Sequence, residues 1–303
     1  MEKWKAPKKP RIGIYTMGLK AYWNQFPGLR ERLLHYGQFI SDKITALGGE
    51  VFFYGLADCE EAGRECGEYF NSHNVDLIFA HSGTYVNSSS VLPIHQICRA
   101  PVVILNLQPA ARIAYDRTTT GEWLAHCGAC PVPELSNAFH RSGIACRIIN
   151  GLLGLDHTPG ISLTEENTAS RPEAIKAWKE IGEWVKAAAV KRELSGCRFG
   201  FLGNTYNGML DMYSDFTMIQ AQTGAHIEIL EMCDLNRELS QVTEEEVLAK
   251  KQEILEFFLI SEEKAADPLA QKPTDEQLDW SARVAAAQER LVREYGLDAL
   301  TYY

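Results

Sequence analysis

Long apolar runs are missing from this 303-residue chain, and no segment of it could span a bilayer. An apolar signal segment is missing too: the basic N-terminus leads straight into a strand pattern. A cytoplasmic protein with no membrane partner is the expectation. Positive charge is in short supply. Lys and Arg number 30 against 40 Asp and Glu, for a net charge of −10, which argues against nucleic acid or an acidic surface as partner. The cluster Lys3, Lys5, Lys8, Lys9 and Arg11 is short and terminal, and reads as a solvated tail. A glycine-rich phosphate loop is also absent, since only Gly18 and Gly28 frame the loop after the first strand. Finally, the C-x-x-C in His126-Cys127-Gly128-Ala129-Cys130-Pro131 has no second C-x-x-C and no H-x₃₋₅-H after it. The eight cysteines of a cytoplasmic chain read as mostly free thiols. For Cys127 and Cys130 a structural role is expected, with a redox or metal role as the alternative.

What is present is a wound α/β pattern. Hydrophobic residues make up 46% of the chain, enough for a sizeable core, and the length suits about two domains. Strand and helix signals alternate: strands at Arg11–Thr16, Glu50–Gly55, Asp76–His81 and Pro101–Leu107, with helices at Leu29–Leu47, Cys59–Asn71, Val91–Cys98 and Glu134–Arg141 between and after them. The fold expected is α/β, as two consecutive Rossmann-like domains with doubly wound parallel sheets, residues 1–165 and 166–303. A helix opening at Pro172-Glu173, with Ile175, Trp178, Ile181, Trp184, Val185 and Ala188 at helical spacing, begins the second. That domain then runs through a strand at Cys197–Gly203, helices Asp215–Thr223, Thr243–Phe258 and Asp275–Tyr295, a strand Ala225–Glu231 and a last strand signal at Gly296–Tyr303. The expectation is that its final strands are missing and that the chain is a piece of something longer.

The loop Met17–Leu29 sits at a strand's carboxyl end, where open α/β sheets bind ligands. Its Lys20, Tyr22, Trp23 and Gln25 suit an uncharged polyhydroxylated ligand, with rings for C–H faces and polar tips for hydroxyls. An ordinary βα connection with a core tryptophan is the alternative. His81 and His95 lie beside apolar segments and read as core or rim histidines. Glu244-Glu245-Glu246 reads as the acidic first turn of a helix, and the stripe Ile254, Phe257, Phe258 as core.

Three stretches carry a family resemblance: Gly18–Leu29, the segment from Leu107-Gln108 through Glu134 to Gly143, and Phe199–Gly224 with its Leu210-Asp211-Met212-Tyr213-Ser214-Asp215. Together with Ala282-Arg283, Leu291, Gly296 and Ala299-Leu300-Thr301, their order resembles the N-terminal and central domains of the L-arabinose/L-fucose isomerase family. The resemblance implies a metal-dependent aldose–ketose isomerase working through an enediol. Two glutamates and two histidines would hold a divalent metal, usually Mn2+, which polarises a carbonyl and stabilises enediolate charge. The family's catalytic glutamates are expected beyond Tyr303, so none of the four metal ligands lies in this chain and the chain alone is not expected to isomerise sugar. Glu134, Glu231, His81 and His140 have no spacing that makes a substitute.

Family sites lie between subunits, which implies a homo-oligomer acting on a pentose or deoxyhexose. The substrate-binding residues carried over are Lys20, Tyr22, Trp23, Tyr85, Gln108, Glu134, Tyr206 and Asn207. Beside these stand plainer readings: Lys20 as a solvated lysine, Trp23 as packing, Gln108 as a turn amide, and Asn207-Gly208 as a turn dipeptide. A non-catalytic sugar-binding α/β module is the alternative function.

Overall fold

A computed structural model describes residues 8–157, 167–203, 207–262, 266–267, 269 and 271–302. The chain divides into two compact units, Met1–Arg192 and Glu193–Tyr303.

The first unit runs β1 (Arg11–Met17), α1 (Leu29–Ala46), β2 (Glu50–Ala57), α2 (Glu60–Ser72), β3 (Leu77–His81), α3 (Ser88–Ile97), β4 (Val102–Gln108), α4 (Thr120–Leu124), α5 (Val132–Arg141), β5 (Cys146–Leu152) and α6 (Pro172–Leu194). All five strands are parallel, in the order β2-β1-β3-β4-β5. The central strands are apolar on both faces because both faces are covered. On β1, Ile12 and Ile14 join the core under α1 and α6, while Tyr15 and Met17 join the core under α2, α3 and α5. This is the doubly wound α/β architecture of the Rossmann-like class, with the strand order of flavodoxin-like sheets. The winding changes direction between β1 and β3, so the loops leaving their carboxyl ends part there and open a crevice.

Helix α6, expected to open the second domain, belongs to the first. Its Ala177, Ile181, Val185 and Ala188 are buried in the first core, and the Trp178 indole N–H donates to the Leu153 carbonyl at 2.8 Å. Near its end Arg192 donates to both carboxylate oxygens of Asp76, whose Oδ2 also takes the Arg11 amide at 2.7 Å. The division between the units falls within the last turn of α6, after Arg192, where 165/166 was expected. Strand β5 has no counterpart among the strand signals of the sequence. It is an edge strand, with Arg147 and Asn150 exposed, and its apolar signal is short.

The second unit runs β6 (Arg198–Leu202), α7 (Phe216–Thr223), β7 (His226–Leu230), α8 (Met232–Leu239), α9 (Glu244–Phe257), α10 (Asp275–Glu294) and β8 (Ala299–Tyr302). Its described strands are parallel, in the order β7-β6-β8. Leu202, Leu230, Leu235, Val247, Ala286 and Leu291 form one core under α8, α9 and α10. Phe201, on the other face, meets Phe216 of α7 edge-on at 4.9 Å. Arg290 ties the helices together, donating to Glu238 at 3.0 Å and Glu246 at 3.1 Å. The glutamate run does open α9, capped by the Thr243 hydroxyl. The stripe read as core is corrected: Ile254 packs against the core, but Phe257 is 82% exposed and Phe258 58%. They stand at the end of α9, past the turn that faces α10. Among the described residues, no helix is long and apolar enough to cross a membrane.

Helices α2 and α3 touch at Gly63 and Gly67. A methyl on Gly63 would fall on the Ser90 carbonyl oxygen, and one on Gly67 would sit 3.0 Å from the Ile94 carbonyl oxygen. Alanine gains about 1 kcal/mol of helix propensity over glycine, but overpacking against fixed backbone costs about 1–3 kcal/mol. Gly63→Ala should therefore lower stability, by up to about 2 kcal/mol, in urea unfolding. Gly182→Ala on α6, where the nearest atom is an ordinary 3.7 Å away, should raise it by up to about 1 kcal/mol. Equal effects of the two would show that the α2–α3 contact does not constrain the fold.

Candidate functional site

The crevice between β1 and β3 is bounded by the loops after β1, β3 and β4. The first half of the β1 loop is fastened to the end of β2. The Gly18 and Lys20 amides donate to the Ala57 and Asp58 carbonyls at 3.3 and 3.1 Å. The Trp23 indole N–H donates to Asp58 Oδ2 at 2.6 Å, and its ring fills the space above Gly18, where a Cβ would lie 2.8 Å from it. Lys20 is exposed and lies within electrostatic reach of Glu61, at the start of α2. Lys20 and Trp23, grouped with Tyr22 by sequence, thus belong to the β2–α2 side, and Trp23 takes the packing role.

Tyr22 turns the other way. It is half-buried, its ring meets Phe26 edge-on at 5.8 Å, and its hydroxyl pKa is raised by burial and by the neighbouring Cys127 and Cys130 thiols. Tyr85, in the β3 loop, lies within electrostatic reach of Tyr22 and donates to Glu134 Oε2 at 3.1 Å. The other carboxylate oxygen, Oε1, accepts the Ser88 amide at 2.8 Å. Ser88 is the first residue of α3, whose N-cap Asn87 offers no side-chain hydrogen bond. Glu134 supplies that cap from α5, placing negative charge at a helix N-terminus. The Ser88 amide, then the Ser88 and Tyr85 hydroxyls, hold its carboxyl below the usual glutamate range against the opposing effect of burial.

The β4 loop closes the crevice through the C-x-x-C turn. The Ser82 hydroxyl donates to the Gly128 carbonyl, and a methyl on Gly128 would fall on the Ser82 carbonyl oxygen. Cys127 is buried and Cys130 exposed, both free thiols. Burial first, then Cys130, pushes the Cys127 thiol up to about 12. Gln108 lies beyond Gly128. Its amide donates to Asn106 Oδ1 at 3.0 Å, and Asn106 donates to its register partner Asn150 at 2.7 Å. Beside Phe26 a hollow of about 410 Å³ is lined by Gln25, Gly28, Arg32, Thr119 and Glu122, within the size range of small-ligand sites.

The structure thus brings Tyr22, Tyr85 and Glu134 together with Cys127 and Cys130, and leaves Gln108 in an amide chain at the sheet edge. Asn207 is exposed in a turn of the second unit, before Gly208 at φ +87°. Tyr206 lies outside the described residues. Sequence reasoning assigns no role to Ser82 and Thr84, and reads His126 and Gly128 only as part of the cysteine motif. Thr84 is fully buried with its hydroxyl unpartnered. His126 places Nδ1 3.0 Å from the Glu122 carbonyl and leaves Nε2 buried without a partner. The polar run Ser82-Gly83-Thr84 at a strand's carboxyl end is the signal that could have found Ser82 and Thr84. Burial pulls His81 and His95 down to about 3, so both are neutral; His81 bonds Thr16 at 3.2 Å and His95 bonds Tyr15 at 3.1 Å. Among the described residues, no three His, Cys, Asp or Glu gather as a metal site. The described residues do not fit the manganese centre that the resemblance implies.

No family model matches the chain, and no curated protein matches it. Among solved structures, it is similar to a periplasmic solute-binding protein of an ABC transporter from Actinobacillus succinogenes with bound D-allose. The identity is 12%, covering 97% of this chain and 95% of that one, with a TM-score of 0.26. A dihydrodipicolinate synthase is similar at 11% identity, 94% and 99% coverage and a TM-score of 0.19. Scores this low carry no argument about ligand or chemistry.

The Glu134 carboxyl gives a pH prediction. Its folded pKa lies below the unfolded value of about 4.3. Its stabilisation is then complete above that value and is lost as pH falls through the folded pKa. Glu134→Gln should be less stable than wild type at pH 7, and the gap should narrow steadily below about pH 4. A gap independent of pH in chemical unfolding would show that the carboxylate does not cap α3.

Proposed function

We propose that the first unit binds a pentose or deoxyhexose in the β1–β3 crevice, as the substrate side of an aldose–ketose isomerase of the L-arabinose/L-fucose type. The observation that carries this reading is the convergence of Tyr22 with the Tyr85–Glu134 pair at the sheet's switch point. Two aromatic rings offer faces to sugar C–H groups. A carboxylate fixed by two donors keeps lone pairs for ligand hydroxyls, and it stays charged at neutral pH. The adjoining hollow adds an amide, a guanidinium and a carboxylate at Gln25, Arg32 and Glu122, a mixture suited to hydroxyls and not to a phosphate alone.

In this reading the crevice binds and orients the sugar, and the divalent metal with its ligands lies outside the described residues. The protein works in the cytoplasm as a homo-oligomer whose neighbouring subunits complete each site. The alternative, a non-catalytic sugar-binding module, shares the crevice and differs only in needing no metal.

Titration calorimetry with a panel of pentoses and deoxyhexoses tests the reading. One sugar should bind, and Tyr22→Ala should weaken it at least tenfold, about 1.4 kcal/mol, with an unchanged circular dichroism spectrum. Manganese-dependent aldose–ketose exchange by the full-length protein supports the isomerase. Binding unaffected by EDTA, with no exchange, leaves the binding module. Failure of every sugar to bind, or full affinity in Tyr22→Ala, removes the crevice as the site.

A further inference from the structure

The C-x-x-C turn has a use that sugar binding does not account for. The Cys130 amide donates to the Cys127 carbonyl at 3.2 Å, closing a four-residue turn. Such a turn holds its end Cα atoms within about 7 Å, inside the span a disulfide bridges. The Cys127 and Cys130 thiols are near enough that Cys130 is felt in the electrostatic environment of Cys127. Their environments differ sharply: Cys127 is 5% exposed, whereas Cys130 is open to solvent. One other pair lies close, Cys66 and Cys98, but both are buried. Cys233 is exposed, and none of the contacts described for it involves a second thiol.

We propose that Cys127 and Cys130 form a thiol–disulfide exchange site for small-molecule disulfides, with Cys130 as the attacking sulfur and Cys127 as the resolving one. The Cys130 thiolate attacks one sulfur of the small disulfide. The S–S bond breaks, a mixed disulfide forms on Cys130, and the departing thiolate takes up a proton. Cys127 then gives its proton to solvent and attacks the Cys130 sulfur, closing the Cys127–Cys130 bond and expelling the second thiol. The protein loses two electrons and two protons, and one small disulfide becomes two thiols. Cys130 is open to solvent and Cys127 is buried, which sets the order of attack. The turn lies beside Tyr22, so its redox state alters the wall of the crevice; the exchange itself requires no sugar.

The test exposes the full chain to graded ratios of oxidised to reduced glutathione, quenches with acid, and maps disulfides by peptide mass. The Cys127–Cys130 link should appear at a ratio at least tenfold lower than glutathione adducts on Cys233. Cys127→Ser should trap a stable glutathione adduct on Cys130, and Cys130→Ser should leave Cys127 unmodified. The proposal is overturned if wild type keeps a glutathione adduct on Cys130 without forming the link. It is also overturned if Cys127 is modified first, or if the turn stays reduced while Cys233 reacts. The wild-type map is decisive by itself, so the proposal can still be overturned where a variant fails to fold.

Discussion

The Ser82 carbonyl leaves no room for a side chain at residue 128, and the crevice is arranged around that contact. Gly128 lets the β4 loop lie backbone to backbone against the β3 loop, where the Ser82 hydroxyl reaches its carbonyl. The hydrogen bond contributes only about 1 kcal/mol; the exclusion of a Cβ is the stronger constraint, since overpacking there costs about 1–3 kcal/mol. Consequences run along the chain in both directions. Cys127 is pressed inward and Cys130 outward. Pro131 then starts α5, which sets Glu134 one turn later where it meets Ser88 and Tyr85. A single small residue thus fixes the relation between two loops that are far apart in sequence.

The same contact explains what could be read from the residues and what could not. β1 was legible because Ile12, Ile14 and Tyr15 are apolar on both faces, as a central parallel strand must be. Tyr22 and Tyr85 were legible as site candidates because strand carboxyl ends are where such sheets bind. Gly128 was not: in sequence it is one glycine inside a cysteine motif, and only the β3 loop opposite gives it meaning. Trp23 failed for a related reason. Its neighbours in sequence pointed to a ligand, but Asp58, at the end of β2, takes its indole N–H. Glu134 was legible as a polar group near strand carboxyl ends, while its capping of α3 depended on an N-cap residue, Asn87, whose side chain makes no cap of its own.

Periodicity carried most of the helices and failed where an apolar face has no described partner. Phe257 continues the stripe of α9, yet it stands beyond the turn that meets α10 and is left exposed. β5 and α8 were passed over for the opposite reason, because each is short and polar on one side and leaves a weak trace. Helix α6 was recognised as a helix, but its sheet was not. An amphipathic face states that something will cover it without stating what, and here Ala177, Ile181 and Val185 fit the first core.

The electrostatics of the crevice narrow what its residues can do. Burial makes His81 and His95 neutral far above their folded pKa values, near 3. Glu134 is shifted the other way for a carboxylate, toward staying charged. Cys127 is held protonated to about 12. Each shift carries its group further from the neutral range in which general acid–base catalysis is most efficient. Glu134 therefore presents fixed acceptors at pH 7, which is the requirement for orienting a hydroxylated ligand. If isomerisation occurs, its acid and base are other residues, and the crevice contributes by holding the sugar still. Proximity of that kind can account for several kcal/mol of a barrier without any change in ionisation. Glu134 is suited to that task because its carboxylate stays charged at neutral pH.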